Sequence, residues 1–126
     1  MPNAAMNDFA CWLTERCEFL HSLETEAERV LHEDKDTEKY RALMCQKAMF
    51  LQALPVEAEK VAAPLPASMA GPFLQQLAQF SENASRALGL DSVFYMYALL
   101  YPDNHVKGEP NNLDLLAERA RALAAE

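Results

Sequence analysis

Two histidines and two glutamates in the first apolar-periodic segment are the residues best suited to bind a metal. The segment reads EFLHSLETEAERVLHE, and Glu18 precedes His21 with the Glu-x-x-His spacing that di-iron helical bundles use. On a helix, His21, Glu28 and His32 lie near one another in angle, but His21 and His32 are about 16 Å apart along the axis. Ligands of one metal lie within about 2.2 Å of it, so the segment offers only two incomplete pairs.

A metal-dependent bundle would therefore need carboxylates from other helices. Glu59 and Glu82 are the candidates, and the metal-binding bundle stays an alternative hypothesis.

Nucleophilic catalysis has no recognisable motif in this chain. Cys17 and His21 lie one helical turn apart and could form a thiolate pair. The alternative is that the two residues share a helical turn by coincidence and do not interact. The three cysteines form an odd set without C-x-x-C spacing, which indicates reduced thiols. Three scattered glycines and the absence of G-x-S-x-G give no phosphate loop or nucleophile elbow. We expect no cofactor and no catalytic residue, and an enzyme site between helices stays open.

Two long helices that form an antiparallel hairpin are predicted for the first half of the chain. Apolar residues repeat every three to four positions from about Asn7 to Glu33, and Asn7 or Asp8 could cap this helix. The break EDKD follows, with Asp36 as the cap of a second helix that Pro55 should kink or end. The predicted inward residues are Phe9, Trp12, Leu13, Phe19, Leu20, Leu23, Ala27, Val30 and Leu31, then Tyr40, Leu43, Met44, Ala48, Leu51 and Leu54.

Three shorter helices are predicted after a Pro-rich connector at about 63–71. One begins at Pro72 and ends at Gly89, a candidate left-handed residue. The next, VFYMYALL, is capped by Asp91 or Ser92 and stopped by Pro102; its composition would also suit a strand, but no second strand-like run could pair with it. The last covers Leu113 to Ala125 and is capped by Asn112. We therefore predict an all-α fold: one domain, 1–126, with about five helices that open with the hairpin at about 7–54 and end with helices at about 72–125.

Aromatic residues of the fourth segment point in several directions around a helix. Phe94, Tyr95, Tyr97 and Tyr101 cannot all pack against one core face, so they are either surrounded as a central helix or partly exposed as an interface. These four residues are the predicted partner-binding site.

The loop YPDNHVKGEPNN, residues 101–112, contains the residues of a turn. Aligned to a calcium loop from Asp103, it places His105 and Lys107 at ligand positions, where oxygen donors are needed. Proline, asparagine and Gly108 instead favour a structural connector, which could also contact a partner.

Lys47 is a charged residue on the buried face of the second helix. Its stem could extend to water, or its ammonium could pair with a first-helix glutamate such as Glu24.

The charge balance argues against nucleic acid as a partner. Nineteen acidic and eleven basic residues give a net charge of -8, whereas phosphate binding needs the reverse balance. No window approaches the roughly 20 apolar residues of a membrane span, and the start of the chain lacks an export-signal pattern, so we expect a cytoplasmic protein.

The hairpin from Phe19 to Lys60 resembles the flagellar export chaperones of the FlgN family, which also pair two amphipathic helices around an acidic break. The resemblance covers about a third of the chain and rests on the spacing from Asp36 to Lys47 to Leu54. It implies a chaperone that binds a protein. The sequence thus predicts a small acidic protein that acts by protein–protein interaction as an adaptor, chaperone or regulator, with a homodimer as the simplest version.

Overall fold

The described part of the chain folds into five helices that form one bundle. The computed structural model describes residues 2–126 and the side chains of residues 4–126. The helices are α1 (Pro2–His32), α2 (Thr37–Ala62), α3 (Ala67–Gly89), α4 (Val93–Ala98) and α5 (Asn112–Ala124). No residue in this described part belongs to a β-strand. The all-α, single-domain prediction is confirmed, and the fourth segment is a helix.

The first two helices form the predicted antiparallel hairpin. Arg16 in the middle of α1 pairs with Glu57 near the end of α2 at 3.3 Å, whereas Glu24, later in α1, pairs with Lys47, earlier in α2, at 3.0 Å. Residue numbers rise along one helix as they fall along the other. The turn between them ends at Asp36, whose side chain accepts a hydrogen bond from the Lys39 N–H at 3.0 Å and so caps α2 as predicted.

The long helices are arranged side by side in the order α5, α1, α2, α3, and α4 contacts α2 and α3. Helix α5 is antiparallel to α1, because Arg121 reaches Thr14 while Asp114 reaches His21. A single apolar core runs through the bundle. This arrangement leaves one face of α1 free between α5 and the segment that follows α4.

Most residues that the apolar repeat placed inward are buried. On α1 and α2 the exceptions are three partly buried side chains and Phe19, which is 49% exposed although its ring packs 4.8 Å from Phe50. The repeat missed further buried residues on the same helices, because small or polarizable side chains contribute little to it. The partly buried side chains are Trp12, Leu31 and Tyr40, and the residues missed include Met6, Ala10, Cys17, Ala58 and Ala62.

The starts of α1 and α5 differ from the predictions. Helix α1 begins at Pro2, a residue favoured in a first turn, so Asn7 and Asp8 lie inside the helix and cap nothing. Helix α5 is capped by Asn111, one residue before the predicted Asn112.

Prolines do not end helices where the sequence predicted. Helix α2 continues through Pro55 to Ala62, and α3 begins at Ala67 and includes Pro72, so the connector is limited to residues 63–66. A proline inside a helix removes one backbone hydrogen bond and costs about 3 kcal/mol. The neighbours of both prolines are buried: Leu54 and Ala58 near Pro55, and Phe73 next to Pro72. Packing of these helix faces offsets the cost.

The predicted left-handed residue after α3 is also displaced. Gly89 is the last residue of α3, and its φ is not positive. Asp91 instead has the left-handed backbone, with φ 49°. Ser92 then caps α4, because its hydroxyl accepts a hydrogen bond from the Tyr95 N–H at 3.2 Å. The cap defines the start of α4 at Val93.

Candidate functional site

Helix α4 presents three large aromatic side chains to solvent. Phe94 is 72% exposed, Tyr95 53% and Tyr97 52%, and Met96 is the one residue of this helix that is fully buried. Because α4 packs mainly against α2 and α3, more than half of each of these three side chains stays open to solvent. The interpretation of this segment as a central helix, surrounded on all sides, is therefore wrong.

Tyr101, the fourth predicted partner-binding residue, is partly buried at the edge of the bundle. Its hydroxyl donates a hydrogen bond to Glu24 Oε1 at 2.7 Å, and its ring stacks on Tyr97 at 6.4 Å. Leu100 just before it has a left-handed φ of 75°, unusual for leucine, and this turn directs the chain back toward α1. Burial and the Glu24 carboxylate raise the pKa of Tyr101 well above its ordinary value.

The fully buried Lys47 forms an ion pair with the partly exposed Glu24, the second of the two arrangements that the sequence allowed. The Lys47 ammonium lies 3.0 Å from Glu24 Oε2, donates to the Tyr97 carbonyl at 2.8 Å, and stands 4.9 Å from the centre of the Tyr101 ring. Burial lowers the pKa of Lys47, and the Glu24 carboxylate acts in the opposite direction. One buried cation therefore connects α2, α1 and the C-terminal end of α4.

His21 makes its closest ionic contact with Asp114 of α5. Its Nε2 lies 2.9 Å from both carboxylate oxygens of Asp114, and its Nδ1 lies 3.9 Å from Glu24 Oε1. Asp114 also completes a capping box with Asn111 at the start of α5. Burial, together with the same Asp114 carboxylate, raises the pKa of Cys17 to about 12. A reactive Cys17 thiolate therefore does not form at neutral pH.

The loop that follows α4 is compact. The Asn112 N–H donates to the Leu100 carbonyl at 3.0 Å, which brings the two ends of the loop together. His105 contacts the Glu109 carbonyl at 2.9 Å and packs edge-on against the Tyr101 ring at 4.7 Å, and Gly108 has φ 96°. Compact loops with closed ends are frequently functional surfaces.

An open groove of about 1180 Å³ lies beside α4, and we call it the acidic groove. Its walls are α1, α5, α4 and the compact loop, with a contribution from α2. Seven carboxylate side chains line it, against one lysine and one arginine. Phe94, Tyr97 and Tyr101 form part of its rim, so three of the four predicted partner-binding residues contact this one space.

The residues proposed to bind a metal do not converge. Glu18, His21 and Glu28 line the acidic groove at successive positions along α1, whereas His32 is exposed at the end of that helix. Glu59 and Glu82 lie outside the groove lining, and Glu82 pairs with Arg86 at 2.7 Å. Among the described residues, no three histidine, cysteine, aspartate or glutamate side chains are grouped as metal ligands.

Comparisons with protein-family models, with curated proteins and with solved structures found no match for this chain. The resemblance to the FlgN chaperones therefore stays a prediction. None of the helices in residues 2–126 combines the length and the apolar character needed to cross a membrane.

Sequence reasoning missed Asp114 and Asn111 as residues that organise the site. The signal was present, because Asn-x-x-Asp before an apolar run is the pattern of a capping box. The pairing of Asp114 with His21 had no signal, since these residues are 93 positions apart and meet only when α5 packs on α1.

Proposed function

We propose that this protein binds another protein chain through the α4 patch, defined as Phe94, Tyr95 and Tyr97, with Tyr101 at its inner edge. The observation that supports this is the exposure of all three patch side chains, each above half, on a helix of six residues. An aromatic side chain has 150–250 Å² of surface, so the patch presents roughly 350 Å². Apolar patches of this size on a monomer are often functional.

The α4 patch is held in place by contacts at the start, in the middle and at the end of the helix. Met96 anchors the helix in the core, Ser92 caps its start, and the Lys47 ammonium binds the Tyr97 carbonyl at its end. Aromatic side chains on a fixed helix lose little conformational freedom when a partner covers them. This arrangement suits a docking surface.

The net charge of -8 fits a protein that must stay soluble while it presents aromatic surface. We assign it to the cytoplasm as an adaptor, chaperone or regulator without catalytic activity. A chaperone role of the kind implied by the FlgN resemblance is one form of this function. Self-association through the α4 patch is the simplest form.

Capture of binding proteins from the native host tests the proposal. The bait proteins are the wild type, a patch variant with Phe94→Ser, Tyr95→Ser and Tyr97→Ser, and a control with Met49→Ser, Val56→Ser and Leu115→Ser. The control residues are 50–63% exposed and lie away from α4. We expect one specific protein to be retained by the wild type and the control and lost by the patch variant.

Circular dichroism must first show equal helical content in the three proteins, which is expected because all six residues are exposed. Retention of the same proteins by the patch variant would contradict docking at α4. Light scattering tests self-association separately: a monomer at high protein concentration would remove the homodimer version alone.

A further inference from the structure

The charge of the acidic groove selects the chemistry of what can enter it. Several of its carboxylates already have partners within the protein: Glu24 binds Lys47, and Asp114 binds His21. The other five form no ion pair with any described residue, and all are exposed; they are Glu18, Glu28, Asp103, Glu109 and Glu118. These groups give the groove a negative potential that a cationic ligand would neutralise.

The length of the acidic groove matches a helical segment of a protein. Its α1 wall runs from Thr14 to Glu28, with lining residues repeating every three to four positions. At 1.5 Å per residue this wall is about 21 Å long, the length of a helix of about 14 residues. The groove volume of about 1180 Å³ also exceeds the roughly 300–1,000 Å³ typical of small-molecule pockets.

Aromatic and acidic groups occur together at the Glu28 end of the groove. Tyr40 from α2 and Tyr97 from α4 line this end with Glu28. The pKa of Tyr40 is raised first by burial and then by Tyr97, Glu28 and Glu24, which places these groups within electrostatic range of one another. A carboxylate beside aromatic rings is a favourable environment for a lysine or arginine side chain.

We infer that the acidic groove binds a basic amphipathic helix of a partner protein. The apolar side chains of that helix would cover Phe94 and Tyr97 at the rim, and its lysines and arginines would face Glu18, Glu28 and Glu118. The inference rests on the proposed function, since it names the partner that the α4 patch would dock. A second copy of this chain fits less well, because both copies have a net charge of -8 and like charges repel.

Fluorescence anisotropy with two synthetic peptides tests the inference. Both peptides are labelled amphipathic helices of 14 residues with the same leucine positions; the basic peptide has lysine and arginine on its polar face, and the neutral peptide has glutamine there. We expect the basic peptide to bind at least tenfold more tightly at low salt, and its affinity to fall as sodium chloride is added.

Two charge-matched variants identify the groove as the binding site. The groove variant has Glu18→Gln, Glu28→Gln and Glu118→Gln, and the control has Glu15→Gln, Glu59→Gln and Glu126→Gln, exposed residues outside the groove lining. Each exposed charge pair contributes about 0.2–1 kcal/mol, so losing three should weaken binding of the basic peptide about tenfold. The control variant should bind like the wild type.

The outcomes separate this inference from the proposed function. Equal affinity for the basic and neutral peptides would overturn the inference, as would equal weakening by the groove and control variants. The inference would also be overturned if neither peptide binds at protein concentrations up to about 1 mM. In each case docking at the α4 patch is decided independently, by capture from the native host.

Discussion

Removal of the Glu24 charge should destabilise the protein far more than removal of the Lys47 charge. The Glu24→Gln substitution leaves the Lys47 ammonium buried, with the Tyr97 carbonyl and the Tyr101 ring as its remaining contacts. Lys47→Met instead leaves the Glu24 carboxylate without its ammonium partner. That carboxylate is 18% exposed, accepts a hydrogen bond from the Tyr101 hydroxyl and has the His21 ring nearby. The unpaired lysine destabilises the protein more than the unpaired glutamate, because the Lys47 side chain has no exposed surface.

Two arguments give the size of the effect. Breaking a buried ion pair by removing one partner costs about 3–5 kcal/mol. Lys47 can avoid this cost by losing its proton, and deprotonating a lysine of ordinary pKa 10.5 at pH 7 costs about 4.8 kcal/mol. Glu24→Gln should therefore cost about 3–5 kcal/mol, a large part of the 5–15 kcal/mol that stabilises a typical domain. Lys47→Met should cost about 1–2 kcal/mol, because methionine fills the site and the remaining charge reaches water.

Urea unfolding at pH 7, followed by circular dichroism, measures both variants and the double variant. The double variant should be more stable than Glu24→Gln alone, because the unpaired ammonium is gone. The pH dependence gives a second readout. A lysine whose pKa is lowered on folding binds fewer protons in the folded state, so the Glu24→Gln protein should gain stability as pH rises toward about 10.5. Equal costs for the two single variants, or a larger cost for Lys47→Met, would refute the buried-pair reasoning.

Two further predictions concern the α1–α5 contact. The Cys17 pKa rises from 9.0 to about 12 on folding, so above pH 9 the folded state binds more protons than the unfolded state. The free energy of unfolding of the wild type should therefore fall, relative to that of Cys17→Ala, by about 1.4 kcal/mol per pH unit above pH 9. Urea titrations of the two proteins at each pH measure this difference. A pH-independent difference between these two proteins would contradict the buried thiol. Asn111→Ala removes a capping-box acceptor and should lower the free energy of unfolding by about 1 kcal/mol, whereas Asn112→Ala, beside the cap, should cost less; the reverse order would contradict the assigned cap.

The apolar repeat predicted the helices well because burial along a helix depends on spacing within the segment. Phe9, Leu20, Val30, Leu51 and Leu77 all lie where a period of 3.6 residues places them in the core. The helix ends were predicted less well. Local rules at a proline compete with the packing of its neighbours, and at Pro55 and Pro72 packing against other helices prevailed.

The site was predicted in part. The aromatic composition of 94–101 identified side chains that one core face could not cover, and three of them are exposed. The acidic groove could not be read from the sequence, because its walls come from α1, α4, α5 and the loop, and only the packing of α5 on α1 brings them together. The position of Lys47 on a buried face left two arrangements open, a stem that extends to water or an ion pair with Glu24, and the structure has the ion pair.

Photo-crosslinking in the native host tests docking at α4 most directly. A photoreactive amino acid is placed at Phe94 in one protein and at Met49 in another; these side chains are 72% and 58% exposed on different surfaces. We predict a specific crosslink to a second protein chain from position 94 and none from position 49. Absence of a crosslink at 94, or the same products from both positions, would contradict the α4 patch as the docking surface.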